Sequence, residues 1–93
     1  MEQFEYIIDI DNVAKEELLQ HKKAGNKVTI KRIERIFSEL ANIPFTGIGN
    51  PHPLKYELTG YWARDINQKD RLIYRVDEVK KTVFVTSAMG HYE

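Results

Sequence analysis

Residues 61–88 read YWARDINQKDRLIYRVDEVKKTVFVTSA, and this stretch decides the fold. It contains three runs rich in aromatic and β-branched side chains, 61–66, 71–76 and 82–88. In the second run Leu72, Tyr74 and Val76 share one face, which is the period of two that indicates a strand. The connections between the runs are polar and short enough to join antiparallel neighbours. The stretch therefore predicts a meander of three strands.

A strand and a helix are predicted at the start of the chain. Residues 4–10 alternate between apolar and other side chains, as a strand with one buried face does. Asp11 or Asn12 can then cap a helix, because a short side-chain acceptor satisfies free amides at a helix start. This helix is predicted over 13–23, and Gly25 ends it.

A second helix is predicted from Asn26 to Ala41 or Asn42. Its apolar residues recur at helical spacing and form one stripe, Ile33, Ile36, Phe37, Leu40 and Ala41. All three prolines of the chain fall within 44–53, which predicts a loop. A brief fourth strand around 56–58 is compatible with the composition there.

This order of elements predicts an α+β domain in which both helices pack on one face of the sheet. The chain of 93 residues fits one compact domain, predicted to span 1–93. It has no run of about 18 apolar residues and no basic leader, so no membrane association is expected and a cytoplasmic location is the default. It also has no cysteine, which excludes disulfides, a thiolate nucleophile and zinc bound by sulfur.

The charge is balanced, with 14 Lys+Arg against 14 Asp+Glu. Proteins that bind nucleic acid usually carry a basic excess, so this composition argues mildly against such a partner. Any phosphate-binding charge must instead be concentrated in space by a few basic side chains.

Two histidines are candidates for proton transfer. His91 is followed by Tyr92, and the pair indicates either a general acid or base beside a stacking ring or an ordinary surface position. His52 lies between two prolines, a rigid setting that suits a catalytic side chain and equally an ordinary turn. His21, on the first predicted helix, is expected on a solvated face.

Arg64 is unusual because it lies within an aromatic strand. It is either a member of an exposed ion pair, with Asp65 or Asp70 as partner, or a guanidinium that binds phosphate. The three histidines lack the spacing of a metal site, so no metal and no cofactor are expected. Nothing in the sequence matches a nucleophile elbow or a P-loop.

Four motifs then point to one family: PFTGIGNPHPLK at 44–55, LTGYWARDI at 58–66, RLIY at 71–74 and GHY at 90–92. In this order and at these spacings they resemble the YoeB/Txe toxins of the RelE superfamily. The resemblance implies a RelE-like fold and the toxin of a type II toxin–antitoxin system. It also implies a ribosome-dependent, metal-independent mRNA endonuclease, held inactive by a YefM/Phd-type antitoxin and able to form a homodimer.

Members of this family use the RNA 2′-hydroxyl as the nucleophile, and the resemblance assigns the catalytic roles by position. The base falls on His52, where the family usually has glutamate, and the phosphate-stabilising cation falls on Arg64. The acid falls on His91, with Tyr92 as the ring that positions the substrate. Basic family positions that contact phosphate fall on Lys55 and Arg71.

Three departures from the family pattern leave an alternative open. His52 replaces an anion with an imidazole, which is also a competent base. Asp65 and Asp70 stand where basic residues or histidine are common, and each lowers the positive charge expected beside the phosphate. The alternative is a toxin fold with weakened catalysis that acts through its antitoxin complex, as a co-repressor or decoy.

Overall fold

The computed structural model of the chain describes residues 5–90, in which two helices cover one face of a five-stranded sheet. The elements are β1 (Ile7–Ile10), α1 (Asn12–Ala24), α2 (Lys27–Asn42), β2 (His52–Pro53), β3 (Trp62–Asp65), β4 (Arg71–Asp77) and β5 (Thr82–Ser87). The strand order is β1-β5-β4-β3-β2, with β1 parallel to β5 and all other neighbours antiparallel. The predicted α+β class and its meander are confirmed.

Side-chain caps set the start of both helices at the predicted positions. Asp11 accepts a hydrogen bond from the Ala14 amide at 2.9 Å, and Asn26 accepts one from the Thr29 amide at 3.0 Å. Between the helices, Gly25 has a φ of 73°, the left-handed conformation that ends a helix at little cost for glycine. The two helices are therefore separate, as predicted.

The hydrophobic core lies between the helices and one face of the sheet, which we call the helix face. Its buried members are Ala14, Ile36, Leu40, Ile66, Leu72, Tyr74, Val83, Val85 and Ala88. Tyr6, Ile8 and Ile10 pack against this cluster, so the alternation predicted for the first strand is confirmed for these three residues. Side chains paired across a sheet point to the same face. In β2, β3 and β4, the residues that alternate with those facing the helices consequently point to the opposite face, which we call the open face.

The short element between the helices and the meander differs from the prediction. Residues 56–58 form a 3₁₀ helix rather than a strand, and Tyr56 has a left-handed φ of 58° that no strand accommodates. The extra strand is instead β2, inside the proline-rich loop, where His52 pairs with Ala63 and Pro53 pairs with Trp62. A proline is tolerated there because β2 is the edge of the sheet, where a missing amide costs no ladder hydrogen bond.

Neither helix within residues 5–90 is both long and apolar enough to cross a bilayer. Phe4 of the predicted first strand and the candidate site residues His91 and Tyr92 lie outside the described residues.

Candidate active site

The open face brings His52 and Arg71 together. His52 pairs with Ala63, and Ala63 pairs with Ile73 two residues from Arg71 on the same strand. With strands about 4.8 Å apart and about 3.4 Å per residue, the Cα atoms of His52 and Arg71 are about 12 Å apart. Both side chains belong to the open face, so a substrate lying across it could contact both.

The ring of His52 is held in one orientation by its own loop. Its Nδ1 lies 2.7 Å from the Asn50 carbonyl oxygen. A carbonyl oxygen only accepts hydrogen bonds, so Nδ1 carries the proton of the neutral ring and Nε2 keeps its lone pair. This tautomer leaves Nε2 able to take a proton from a bound hydroxyl group.

Arg71 lies beside the point where the described chain ends. Its backbone amide donates to the Gly90 carbonyl at 3.1 Å. Its side-chain Nε donates to Asp65 Oδ1 at 2.6 Å, and both side chains are partly exposed. The Arg71 side chain is thus partly accessible to solvent, and a carboxylate from the neighbouring strand orients it.

A groove of about 390 Å³ adjoins the same strands. Its lining residues are Val13, Glu17, Glu57, Leu58, Tyr61, Ile73, Thr86 and Ser87. Ser87 Oγ is buried and is the one buried side-chain polar atom within residues 5–90 that has no hydrogen-bond partner. The ring of Tyr61 in this groove is a group suited to stack on a nucleobase.

Arg64 does not belong to this surface. Its relative exposure is 0%, and it points to the helix face with Leu72 and Tyr74. An arginine has five N–H donors, and all five are used here. The acceptors are Tyr74 Oη (3.3 Å), Glu39 Oε1 (2.7 Å) and the carbonyl oxygens of Ile48 (3.3 Å), Pro44 (3.3 Å) and Thr46 (2.6 Å). The prediction that Arg64 presents a guanidinium to phosphate is therefore wrong.

The buried guanidinium instead organises the loop that leads to His52. Three loop carbonyls converge on it, and Glu39 ties the loop further by accepting the Ile48 amide at 2.9 Å. Gly47 packs so closely that an added Cβ would lie 2.0 Å from Glu39 Oε1. Gly47 thus allows the loop to pack closely around this ion pair. Sequence reasoning did not single out Glu39, which reads as one more polar residue on a helix.

The carboxyl group of Glu39 is held in its charged form. Partial burial alone would raise its pKa, but hydrogen bonds from the Ile48 amide, Arg64 and Arg35 outweigh that effect and lower the pKa below the ordinary 4.5. Tyr74 is affected in the opposite direction, since burial raises the pKa of its phenol while Arg64 partly opposes the rise. Tyr74 therefore stays protonated and donates to the Pro44 carbonyl at 2.7 Å.

The lowered pKa of Glu39 predicts a specific acid sensitivity. The carboxylate contributes stability at all pH values above its ordinary pKa of 4.5, and this contribution is lost as the pH falls through the lower pKa of the folded state. Urea unfolding followed between pH 7 and pH 3 measures it. We expect Glu39→Gln to have a lower free energy of unfolding than the parent chain at pH 7. This gap should narrow below pH 4.5. Glu34→Gln, on an exposed position of α2, is the control and should follow the parent curve. A gap that is independent of pH would contradict the assignment.

Two further residues are placed differently from the predictions. His21 is 6% exposed rather than on a solvated face, and its Nε2 lies 2.8 Å from the Ala88 carbonyl oxygen. Asp70 is also 6% exposed, and its Oδ1 accepts the Gly90 amide at 3.1 Å. Asp70 therefore binds the chain itself and is not an accessible charge beside a phosphate.

Of the other candidates, Lys55 lies exposed three residues after His52, at the start of the 3₁₀ helix. Within residues 5–90 no group of three or more His, Asp or Glu side chains is arranged to hold a metal ion. The structure thus places His52 and Arg71 on the open face, with Gly90 bonded to the Arg71 backbone, and it separates Arg64 from them.

Comparisons with known proteins agree on one family. Residues 11–92 match the family model of the YoeB-like toxin of bacterial type II toxin–antitoxin systems. The chain is 42% identical over 69 residues to Toxin YoeB of Mycobacterium bovis, an alignment that covers 74% of this chain and 79% of that protein. The structure is similar to the YoeB dimer from Staphylococcus aureus, with a TM-score of 0.78, 30% identity and coverage of 95% and 99% of the two chains. It is also similar to the YoeB–YefM complex from Staphylococcus aureus, with a TM-score of 0.76, 32% identity and coverage of 94% and 98%.

Proposed function

The chain belongs to the YoeB-like toxins of bacterial type II toxin–antitoxin systems, and from this premise we propose that it is a ribosome-dependent endoribonuclease that cleaves mRNA and stops translation. The substrate is single-stranded mRNA within the ribosome, and the nucleophile comes from the RNA. A ribosomal target also implies that the reaction takes place in the cytoplasm.

The proposed reaction transfers two protons and replaces one phosphorus–oxygen bond with another. The 2′-oxygen attacks the adjacent phosphorus while His52 Nε2 takes the hydroxyl proton. The bond from phosphorus to the 5′-oxygen breaks, and His91 gives that oxygen a proton. The products are a 2′,3′-cyclic phosphate and a free 5′-hydroxyl. Arg71 stabilises the additional negative charge on the phosphorane, and Tyr92 stacks on a base.

The observation that carries the proposal is that His52 and Arg71 lie on the open face, where the Gly90 carbonyl accepts the Arg71 backbone amide at 3.1 Å. Arg71 takes the phosphate role because its guanidinium is partly exposed, whereas that of Arg64 is buried. The fixed tautomer of His52 supports its role as base. Lys55, exposed near His52, is proposed as a further phosphate contact.

The test is primer extension on an mRNA translated by purified ribosomes, with the purified chain added. Cleavage is expected within translated codons and not in the same mRNA without ribosomes. A 2′-deoxy substitution at the cleaved nucleotide should block the reaction, because it removes the nucleophile. Cleavage that persists with the 2′-deoxy mRNA would contradict the mechanism, and no cleavage of the unmodified mRNA would contradict the proposed activity.

His52 is expected to act as a base that a carboxylate can replace. His52→Gln should lower the single-turnover cleavage rate by about 10²-fold or more, because the amide has no basic lone pair. His52→Glu should retain cleavage, since a carboxylate can take the same proton. Equal rates for the two variants, measured by primer extension at saturating ribosomes, would exclude His52 as the base.

The proposed partners are an antitoxin and a second copy of the chain. The Staphylococcus aureus relative forms a complex with YefM and has also been solved as a dimer, which supports a YefM/Phd-type antitoxin and a homodimer here. Co-purification with the product of a neighbouring antitoxin gene, and light scattering of the toxin alone, test these two points separately.

One observation favours the alternative function, a binding module with weakened catalysis. The carboxylate of Asp65 lies 2.6 Å from Arg71 Nε and competes with a phosphate for that guanidinium. Expression without antitoxin discriminates between the two functions. Growth arrest that His91→Gln abolishes supports the nuclease, whereas unimpaired growth at the same protein level supports the binding module.

A further inference from the structure

The segment that leads to His91 is held by side chains from two other parts of the fold. At Ala88, both backbone groups bind residues of α1. The amide donates to Glu17 Oε1 at 2.8 Å, and the carbonyl oxygen lies 2.8 Å from His21 Nε2, which must be the donor. Glu17 and His21 are four residues apart, so they lie on the same side of the helix.

Two residues later the chain is held again, from the connection between β3 and β4. The Gly90 amide donates to Asp70 Oδ1 at 3.1 Å, and the Gly90 carbonyl accepts from the Arg71 amide at 3.1 Å. Asp70 is itself fixed, since its amide donates to Asn67 Oδ1 at 2.8 Å and its Oδ2 accepts from Asn67 Nδ2 at 3.4 Å.

These contacts form one anchor. His21, Asp70 and Met89 line the same cavity of about 210 Å³. His21 and Asp70 are each 6% exposed, and buried polar side chains of this kind are costly unless their hydrogen bonds are made.

We propose that Glu17, His21 and Asp70 are positioning residues that fix the backbone at Ala88 and Gly90 and thereby set the position of His91. The proposal rests on the proposed function, in which His91 is the acid. A misplacement of about 1 Å in a reacting group can cost about 10²-fold in rate. Asp70, which the sequence suggested would weaken RNA binding, thus supports catalysis.

Hydrogen exchange tests the anchor without any assay of activity. Asp70→Ala should lower the protection of the Gly90 amide at least about tenfold, because that amide loses its acceptor. Asp77→Ala is the matched control, since Asp77 Oδ1 accepts the Lys80 amide at 2.9 Å in the connection between β4 and β5. Asp77→Ala should lower the protection of the Lys80 amide and leave the protection of the Gly90 amide unchanged. Full protection of Gly90 in Asp70→Ala would overturn the proposal.

A double-mutant cycle tests the consequence for catalysis. At saturating ribosomes, Asp70→Ala should lower the single-turnover rate by about 10–100-fold, while Asp77→Ala stays within about twofold of the parent. Asp70→Asn keeps an oxygen acceptor and should recover most of the rate. In a His91→Gln background, Asp70→Ala should have little further effect, because the group it positions is gone.

An equal loss of rate in both backgrounds would show a general structural role and overturn the assignment as a positioning residue. If the parent chain does not cleave mRNA at all, the proposed function fails. The exchange measurement, together with the NMR signals of the His91 ring in Asp70→Ala, then still decides whether Asp70 holds this segment.

Discussion

Replacing Arg64 with methionine is expected to lower the free energy of unfolding by about 3–5 kcal/mol, the usual cost of breaking a buried ion pair by removing one partner. Methionine fills much of the same space but makes none of the five hydrogen bonds. Glu39 and three loop carbonyls would each lose the hydrogen bond that the fully buried guanidinium donates. Urea unfolding followed by the fluorescence of Trp62, whose ring contacts Phe45, measures the change.

The control is Arg75→Met on the neighbouring strand. Arg75 is partly exposed and stacks over Phe84 at 4.2 Å, an interaction of about 0.5–1 kcal/mol at such sites. If Arg64→Met does not fold, Arg64→Lys keeps the charge beside Glu39 but loses the planar fork, and should show an intermediate loss. An Arg64→Met chain as stable as the parent would contradict the anchoring role.

The fold could be predicted from the sequence because its local signals for helices, turns and strands agree with the pattern of buried residues. The cap at Asn26, the glycine at position 25 and the alternation in residues 71–76 each specify an element, and the structure forms all of them. The pairing of β1 with β5 was beyond these rules, because it joins the two ends of the chain and depends on tertiary packing. The two-residue β2 was missed because Pro53 and the preceding Pro51 favour a loop.

The residue types of the site were predictable from the sequence, but the surroundings of the sheet face on which each side chain lies were not. Alternation places Trp62 and Arg64 on the same side of β3, yet it does not reveal that the loop of residues 44–51 folds over that side. The guanidinium is buried because of this loop, whose Gly47 and Gly49 allow the backbone to approach closely. Single-sequence patterns contain no sign of that approach, so an arginine at a family position was assigned to phosphate.

The roles of acidic residues were the least accessible from sequence. Asp65 and Asp70 both read as charges beside a phosphate site. In the structure Asp65 binds Arg71 on the surface, whereas Asp70 is buried and binds the Gly90 amide. The difference arises from the long-range contact of Gly90 with Asp70 and Arg71 at the start of β4, which no local signal specifies.

Arg71→Gln is expected to lower the single-turnover cleavage rate by about 10³-fold, the scale on which loss of a phosphate-stabilising arginine acts. Stability should change by only about 1 kcal/mol, since the ion pair with Asp65 is partly exposed. The expected effects are the reverse of those for Arg64, whose replacement mainly lowers the free energy of unfolding. Primer extension at saturating ribosomes, with urea unfolding of the same preparations, measures both quantities.

Arg75→Gln provides the matched control for this prediction, because it removes an arginine from the same strand and the same face, four residues further along. It should leave the rate within about twofold of the parent, which shows that position rather than total charge matters. Arg71→Lys should recover only part of the loss, since a lysine cannot place two donors on one phosphate. If Arg71→Gln and Arg75→Gln reduce cleavage equally, Arg71 acts only through general attraction to RNA, and the cation at the phosphorane must be sought elsewhere, with Lys55 the next candidate on the chain.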